Sequence, residues 1–224
     1  MNIKRYFTIV VFTLISLSAF ATTEINTEKQ KLSYAMGTYF ALSVTQQEMA
    51  IDVPAFIQAV EDALKGKEPQ ISMKDMQNII TQYKKTVDKQ QSDAIAMNRQ
   101  AGNTFLAENK KKEDVIESPT GLQYKIIKQG KGEKPATGSK VTVHYKGSLI
   151  DGTVFDSSYE RGQPATLSLA QVIKGWREAL PMMEIGSKWQ IYVPSELAYG
   201  DRSASRLIGP ASTLIFDIEL ISID

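Results

Sequence analysis

The C-terminal half of this chain contains the segment Val141-Thr142-Val143-His144-Tyr145-Lys146-Gly147, which is followed by Asp151-Gly152. Every second residue from 141 to 145 is apolar, which is typical of a strand with one buried face. An Asp-Gly pair is a strong signal for a tight turn between two antiparallel strands. The segment therefore predicts a β-hairpin, with His144 on the face that points away from the core.

Further strands follow toward the C-terminus. Residues 188–193 and 214–220 alternate in the same way and place Trp189 and Phe216 on their inward faces. Between the hairpin and these strands, only residues 170–183 have a helix-like pattern. We therefore predict an α+β domain, in which a strongly bent antiparallel sheet wraps around one short helix, with Trp189 in its core.

Glycine and proline divide the chain into two halves with different expected structures. Residues 22–112 contain three glycines and two prolines, whereas residues 113–224 contain eleven glycines and six prolines. Both residue types are costly inside helices and common in the turns between strands. The sequence therefore predicts an all-α domain over residues 22–112 and a sheet domain over residues 113–224.

The helical half contains three predicted helices. The first spans residues 27–47, and the second begins near Asp52 and ends at Gly66. The third begins at Ser72 with a capping-box-like sequence and continues without proline to about Lys112, a length of about 60 Å. A helix of this length is either a surface helix of a compact bundle or a long connecting rod. We favour the rod, because the middle of the helix is polar on most faces.

The apolar stripes of these helices are expected to pack against a second chain. Met76, Ile80, Tyr83 and Val87 follow a 4-3-4 spacing on the third helix, so they share one face. Three helices of this size bury only a thin core on their own. The helical half is therefore predicted to be a homodimerisation module.

The composition excludes several classes of site. The chain has 26 basic and 25 acidic residues, which gives no electrostatic argument for nucleic-acid binding. It has no cysteine and one histidine, His144, so disulfides, thiol catalysis, zinc–thiolate sites and multi-histidine metal sites are excluded. We expect no cofactor and no metal.

The first 21 residues have the pattern of a cleavable signal peptide. Lys4 and Arg5 precede an apolar run over residues 6–20, and the small-residue motif Ala19-Phe20-Ala21 ends it. A retained membrane anchor is the alternative, but the run is shorter than the roughly 20 residues that a span needs. We therefore predict an exported protein, in the periplasm or at the bacterial outer surface.

The C-terminal half contains five motif-like segments, which are residues 143–147, 151–158, 172–176, 198–200 and 211–217. In their order and spacing they resemble the FKBP-type peptidyl-prolyl cis/trans isomerases. The helical half is similar to the N-terminal dimerisation module of an exported bacterial subgroup, the macrophage infectivity potentiator-like proteins, in residues 31–37 and 105–109. The resemblance implies an FKBP-like sheet and an isomerase for unfolded or partly folded, proline-containing polypeptides. Macrolide inhibitors are expected ligands of the same pocket.

The resemblance also implies the residues of the pocket. Trp176 is expected to form the floor under the proline ring, and the Tyr199 hydroxyl is expected to donate to a substrate carbonyl. No bond is attacked covalently in such a reaction, which agrees with the absence of thiols and of a second histidine. The implied catalytic residues are Tyr145, Phe155, Asp156, Trp176, Tyr199 and Phe216, and the implied substrate-binding residues are Val172, Ile173, Leu207 and Ile208.

The sequence departs from the family pattern at two places. Ala165 stands at a pocket-wall position that is often aromatic, which predicts a more open rim. The loop over residues 201–206 carries Arg202 and Arg206 and no glycine, which is expected to change the selection of substrates.

Two other functions are compatible with the sequence. The chain is alternatively a holdase-type chaperone or a host-contact protein in which isomerisation is incidental. Met36, Met49, Met73 and Met76 favour this interpretation, because flexible methionines suit promiscuous apolar surfaces. The third possibility is a structural dimer module with an inactive pocket, although no pocket position is visibly lost.

Overall fold

The computed structural model describes residues 24–46 and 49–224 and divides the chain into two units, which meet between Ile71 and Ser72. The predicted signal peptide, residues 1–21, and the predicted end of the first helix at residue 47 lie outside the described residues. The boundary lies at the start of the third helix, whereas the distribution of glycine and proline places it after residue 112. The two differ because the second half of that helix packs on the sheet.

The described part of the first unit contains two helices, α1 (Glu28–Gln46) and α2 (Val53–Leu64). The side chain of Asp52 caps α2 by accepting a hydrogen bond from the Ala55 amide at 2.9 Å. Gly66 follows the end of α2 with a φ of 68°, the left-handed conformation that glycine adopts without strain. These bounds agree with the predicted helices.

Most apolar side chains of this unit are exposed. The rings of Phe40 on α1 and Phe56 on α2 stack with 4.7 Å between their centroids. No residue of α2 is buried, and Tyr39 and Leu64 are 77% and 84% exposed. The described residues of this unit, taken by themselves, therefore leave much apolar surface exposed.

The second unit begins with α3 (Met73–Asn109), a helix of 37 residues. The Ser72 hydroxyl accepts a hydrogen bond from the Asp75 amide at 3.1 Å, as the capping-box-like sequence predicts. In the first half of α3 the predicted apolar stripe faces solvent, since Ile80 is 64% exposed. Among the described residues, no helix has both the length and the hydropathy that a membrane crossing requires.

A seven-stranded antiparallel sheet follows α3, in the order β1-β2-β6-β7-β3-β4, with β5 paired to the first part of β3. The later part of β3 pairs with β4 instead, so one edge of β3 pairs first with β5 and then with β4. A register shift between Thr142 and Val143 adds to the bend. The strands are β1 (Ile116–Glu117), β2 (Gln123–Lys128), β3 (Lys140–Leu149), β4 (Val154–Ser157), β5 (Ala165–Ser168), β6 (Lys188–Val193) and β7 (Leu214–Ile223).

The predicted hairpin forms between β3 and β4. Gly152 has a φ of 90°, and the Leu149 amide donates to the Thr153 carbonyl at 2.9 Å. The short helix α4 (Lys174–Ala179) packs against the inward face of the sheet, and Trp176 and Trp189 are each 4% exposed in this core. The α+β prediction and the core position of Trp189 are confirmed.

The second half of α3 packs on the opposite face of the sheet. Tyr192 alternates away from the core on β6, yet it is 5% exposed, because the Phe105 ring lies over it with 5.9 Å between centroids. Asn109 at the end of α3 donates to the Gln123 side-chain oxygen at 3.0 Å, and Gln123 donates to the Leu106 carbonyl at 2.9 Å. Since buried polar groups are costly unless paired, these bonds fix the helix on β2.

Candidate active site

A cavity of about 260 Å³ opens between α4 and the sheet. Eight of the ten predicted site residues line it, although they come from β3, β4, β7 and α4 and from the segments before α4 and after β6. The fold therefore brings together residues that are far apart in the sequence. The eight residues are Tyr145, Phe155, Asp156, Val172, Ile173, Trp176, Tyr199 and Phe216.

Aromatic rings that meet at right angles form the inside of the cavity. Trp176 meets the rings of Tyr145 and Phe216 at interplanar angles of 86° and 87°, with 5.3 Å between centroids in both cases. Phe155 meets Phe216 at 84° and 5.6 Å. Edge-to-face pairs of this kind contribute about 0.5–1.5 kcal/mol each beyond the burial of their area. The rings therefore hold one another in fixed orientations.

A glycine on β3 makes room for two of these rings. Gly147 lies opposite Asp156 on β4 and Phe216 on β7. A Cβ at this position would lie 2.6 Å from the Phe155 ring and 2.9 Å from the Phe216 ring, which is closer than real Cβ atoms approach carbon. The two rings can therefore take these positions only because Gly147 has no Cβ.

Asp156, the acidic residue of the cavity lining, has both of its carboxylate oxygens engaged. The Tyr145 hydroxyl donates to Oδ2, and the Arg161 guanidinium donates to Oδ1. Arg161 also donates from Nη2 to the Tyr145 hydroxyl oxygen at 2.9 Å, and its guanidinium carbon lies 5.4 Å from the centre of the Tyr145 ring. The three side chains thus form a closed network at one edge of the cavity.

This network keeps each group in one protonation state near neutral pH. Partial burial raises the pKa of Asp156, but the hydrogen bonds from Tyr145 and Arg161 outweigh it and hold that pKa below its ordinary value. Burial, followed by the hydrogen bond to the Asp156 carboxylate, raises the pKa of the Tyr145 hydroxyl. Asp156 is therefore ionised and Tyr145 neutral.

Two predicted site residues do not line the cavity. Ile208 is 6% exposed and belongs to the hydrophobic core, and Leu207 is 51% exposed. The Ala204 amide donates to the Ile208 carbonyl at 3.0 Å and closes a turn of the loop that contains both residues. The assignment of Leu207 and Ile208 as substrate-binding residues stays a prediction.

Sequence reasoning missed three residues of the site. Leu167 and Gln171 line the cavity, and Arg161 completes the network around Asp156. The alternation on β5 could have identified Leu167, which lies two residues after Ala165 on the same face of the strand.

Ala165 itself lies opposite Val143 and packs, partly buried, against the core. Nothing in the local sequence pairs Arg161 with Asp156, because that contact depends on the path of the loop after β4.

Several known proteins are similar to this chain over most of its length. A family model described as FKBP-type peptidyl-prolyl cis-trans isomerase matches residues 131–221, and one described as the domain amino terminal to FKBP-type peptidyl-prolyl isomerase matches residues 29–126. The chain is 43% identical over 214 residues to the peptidyl-prolyl cis-trans isomerase Mip of Coxiella burnetii, across 94% of this chain and 93% of that protein. It is 40% identical to the outer membrane protein MIP of Legionella longbeachae, across 93% and 91% of the two chains. The crystal structure of FkpA from Escherichia coli matches 90% of this chain and 99% of its own, with 34% identity and a TM-score of 0.62.

The Gly147→Ala substitution tests the shape of the cavity. We expect kcat/KM for Xaa-Pro peptides to fall about tenfold, because overpacking costs about 1–3 kcal/mol and each 1.36 kcal/mol is a factor of ten in rate. The matched control is Ser148→Ala, which changes the next residue of β3 on the opposite face. Equal kcat/KM values for Gly147→Ala and the wild type would show that the rings do not need this space.

The ionisation of Asp156 predicts a flat pH profile. The pKa of Asp156 is lower in the folded chain than in the unfolded chain, so its ionised carboxylate stabilises the folded state. This contribution is fully present above the unfolded-state pKa of about 3.9 and is lost as the pH falls through the folded-state pKa. We expect kcat/KM to be constant between about pH 5 and 9 at fixed ionic strength. A transition near neutral pH that disappears in Asp156→Asn would contradict this assignment.

Proposed function

The chain belongs to the FKBP-type peptidyl-prolyl cis-trans isomerases, and on this premise we propose that its aromatic cavity binds proline in unfolded or partly folded exported polypeptides and catalyses rotation of the preceding peptide bond. The observation that carries this proposal is the aromatic lining of the cavity, in which three pairs of rings meet at nearly right angles beside one ionised acid.

The reaction requires a change in polarity rather than a covalent attack. The X–Pro bond rotates over a barrier of about 18–20 kcal/mol because its C–N bond has partial double-bond character. Twisting the amide removes this conjugation and makes the group less polar, so an apolar, water-poor site holds the twisted amide more easily than the planar one. Only interactions that are stronger in the transition state increase the rate. The apolar lining of the cavity supplies such an interaction.

The residues of the cavity have distinct roles in this proposal. Trp176 is the floor on which the proline ring rests, and Tyr145, Phe155 and Phe216 are the walls. Val172 extends the apolar rim. The Tyr199 hydroxyl donates to one substrate carbonyl, and the amide of Ile173, at the start of α4, donates to the next.

Asp156 acts as a fixed negative charge and not as a proton carrier. Its oxygens already accept hydrogen bonds from Tyr145 and Arg161, and its pKa lies below the ordinary value. A general acid or base needs a pKa near the working pH. The carboxylate instead orients the carbonyl dipole of the twisting amide.

The proposed clients are exported polypeptides. The signal-peptide pattern of residues 1–21 supports export to the periplasm or the outer surface, and a relative over most of the chain is named an outer membrane protein. The cavity is also the proposed site for macrolide inhibitors. No nucleic acid, metal or cofactor takes part.

The proposed assembly is a homodimer held by the N-terminal helices. Leu32 and Tyr39 on α1 and Ile80 on α3 are each more than 60% exposed, although they recur at helical spacing. Burial of apolar surface contributes about 25 cal/mol per Å². A second copy of the same helices is the partner that this proposal assigns to the exposed stripes.

A holdase function is the second candidate, and the same exposed surface favours it. Met36 and Met73 are 66% and 75% exposed, and flexible methionines adapt to varied apolar clients. Aggregation of an unfolded client distinguishes the two functions. If the Trp176→Leu variant loses turnover but still suppresses aggregation as well as the wild type, the helices hold the client. If the variant loses both activities, the cavity holds the client.

Two substitutions test the residue roles. We expect kcat/KM for Xaa-Pro peptides to fall at least about tenfold in Trp176→Leu, because the floor of the cavity is lost. In Tyr199→Phe it falls about three- to tenfold, since one hydrogen bond contributes about 0.5–1.5 kcal/mol. The control is Tyr159→Phe, because Tyr159 is as exposed as Tyr199 but bonds Glu219 away from the cavity. Unchanged turnover in both cavity variants, with the fold intact, would refute the assignment.

The Ile80→Glu substitution tests the dimer. We expect the chain over residues 22–224 to sediment as a dimer, and the substitution to weaken it at least about tenfold, because it buries a charge in the interface. Gln82→Glu adds the same charge elsewhere on the helix and leaves the dimer unchanged. A wild-type chain that sediments as a monomer at micromolar concentration contradicts the proposed assembly.

A further inference from the structure

The loop that connects β6 to β7 carries a proposed substrate-binding group. We call residues 199–213 the mouth loop: it begins at Tyr199, which lines the cavity, and ends at the residue before β7. The Ala211 amide donates to the Gly200 carbonyl at 2.8 Å and closes the neck of this loop. Tyr199 directly precedes that bond and is 43% exposed, so its position depends on how the neck is held.

The neck contains a disfavoured backbone conformation. Ala211 has a φ of 53°, in the left-handed region that residues with a Cβ rarely adopt, and it is 1% exposed. Such a conformation persists only where the surrounding structure holds it in place. The neck therefore needs contacts from outside the mouth loop.

Two consecutive side chains of α3 supply contacts to both ends of the loop. Asn98 donates from Nδ2 to the Pro210 carbonyl at 2.9 Å, one residue before Ala211. Arg99 forms an ion pair with Asp201, one residue after Gly200. The two contacts thus lie on either side of the hydrogen bond that closes the neck.

The backbone of α3 also comes close to the loop. Gly102, one helical turn after Asn98, lies against Thr213, and a Cβ at this position would overlap the Thr213 hydroxyl. Gly102 is itself buried. This close approach keeps the end of the mouth loop on α3 and allows the side chains of Asn98 and Arg99 to reach it.

We propose that Asn98 and Arg99 are positioning residues for the isomerase reaction: by holding both ends of the mouth loop on α3, they fix the Tyr199 hydroxyl at the cavity. The inference rests on the function proposed above and extends it to a helix outside the cavity lining. The helix that continues from the dimerisation module then takes part in substrate binding and is not only a spacer.

The proposal predicts a specific kinetic effect. Tyr199 bonds a substrate carbonyl in the ground state and in the transition state alike, and loss of such uniform binding raises KM without lowering kcat. Each contact alone has a small effect, because Arg99 and Asp201 are 42% and 54% exposed and exposed ion pairs are weak. The informative variant therefore removes both side chains.

The test uses the full chain after residue 21 and short Xaa-Pro peptides, well below the unfolding temperature. In the double variant Asn98→Ala/Arg99→Ala we expect KM to rise about five- to tenfold, with kcat within about twofold of the wild type. Asn98→Ala/Arg99→Lys keeps the positive charge beside Asp201, and its KM is expected to lie between those of the double variant and the wild type. Lys89→Ala is the matched control, since Lys89 pairs with Asp93 on the same helix.

Hydrogen exchange supplies a readout that does not depend on turnover. In the double variant the amides of residues 199–213 exchange faster, while those of β3 keep their wild-type protection. Equal exchange and equal KM in the double variant and the wild type overturn the proposal. A lower unfolding temperature with unchanged KM also overturns it, because the two side chains are then merely structural. A wild-type chain without turnover refutes the proposed function instead, and the exchange of the mouth loop still decides whether α3 holds it.

Discussion

Trp176 reaches the inward face of the sheet from α4 and meets the ring edges of Tyr145 and Phe216 with 5.3 Å between centroids. This contact requires β3 and β7 to be neighbours in one register, because Phe216 lies opposite Gly147, two residues after Tyr145. It also requires a glycine at that position, since a Cβ would overlap the rings. The pairing of the strands, the placement of α4 and the shape of the cavity therefore depend on one cluster of rings.

The polar edge of the cavity follows from the same arrangement. Tyr145 contributes its ring to the cluster and its hydroxyl to Asp156, so one side chain joins the apolar and the charged part of the site. An unpaired carboxylate next to this apolar lining would shift its pKa upward and become neutral. Arg161 prevents this by pairing with Asp156 and covering the Tyr145 ring. Tyr145 and Arg161 thus keep Asp156 ionised and also fix the orientation of its carboxylate.

The parts of the fold that local chemistry determines could be predicted from the sequence. The alternation of β3 and β7, the turn at Gly152 and the caps at Asp52 and Ser72 need only neighbouring residues, and all of them form. Contacts between distant segments could not be predicted in this way. Tyr192 alternates outward on β6 and is buried because α3 covers it, and the turn that buries Ile208 depends on the path of its loop. The partnership of Arg161 with Asp156 has the same origin, since a loop path has no periodic signal.

The two halves of α3 explain why the boundary between the compact units differs from the boundary that composition predicts. The distribution of glycine and proline indicates whether a segment is helical, but it does not indicate what the helix packs against. The first half of α3 exposes an apolar stripe that includes Ile80, whereas the second half buries Phe105, Asn109 and Gly102 against the sheet and the mouth loop. One uninterrupted helix therefore carries both the exposed apolar stripe and the residues that contact the mouth loop. The segment between Ser72 and Asn109 accordingly has no proline, and its one glycine, Gly102, lies where the helix approaches Thr213 most closely, so the sequence keeps the helix continuous and makes room for the mouth loop at one position.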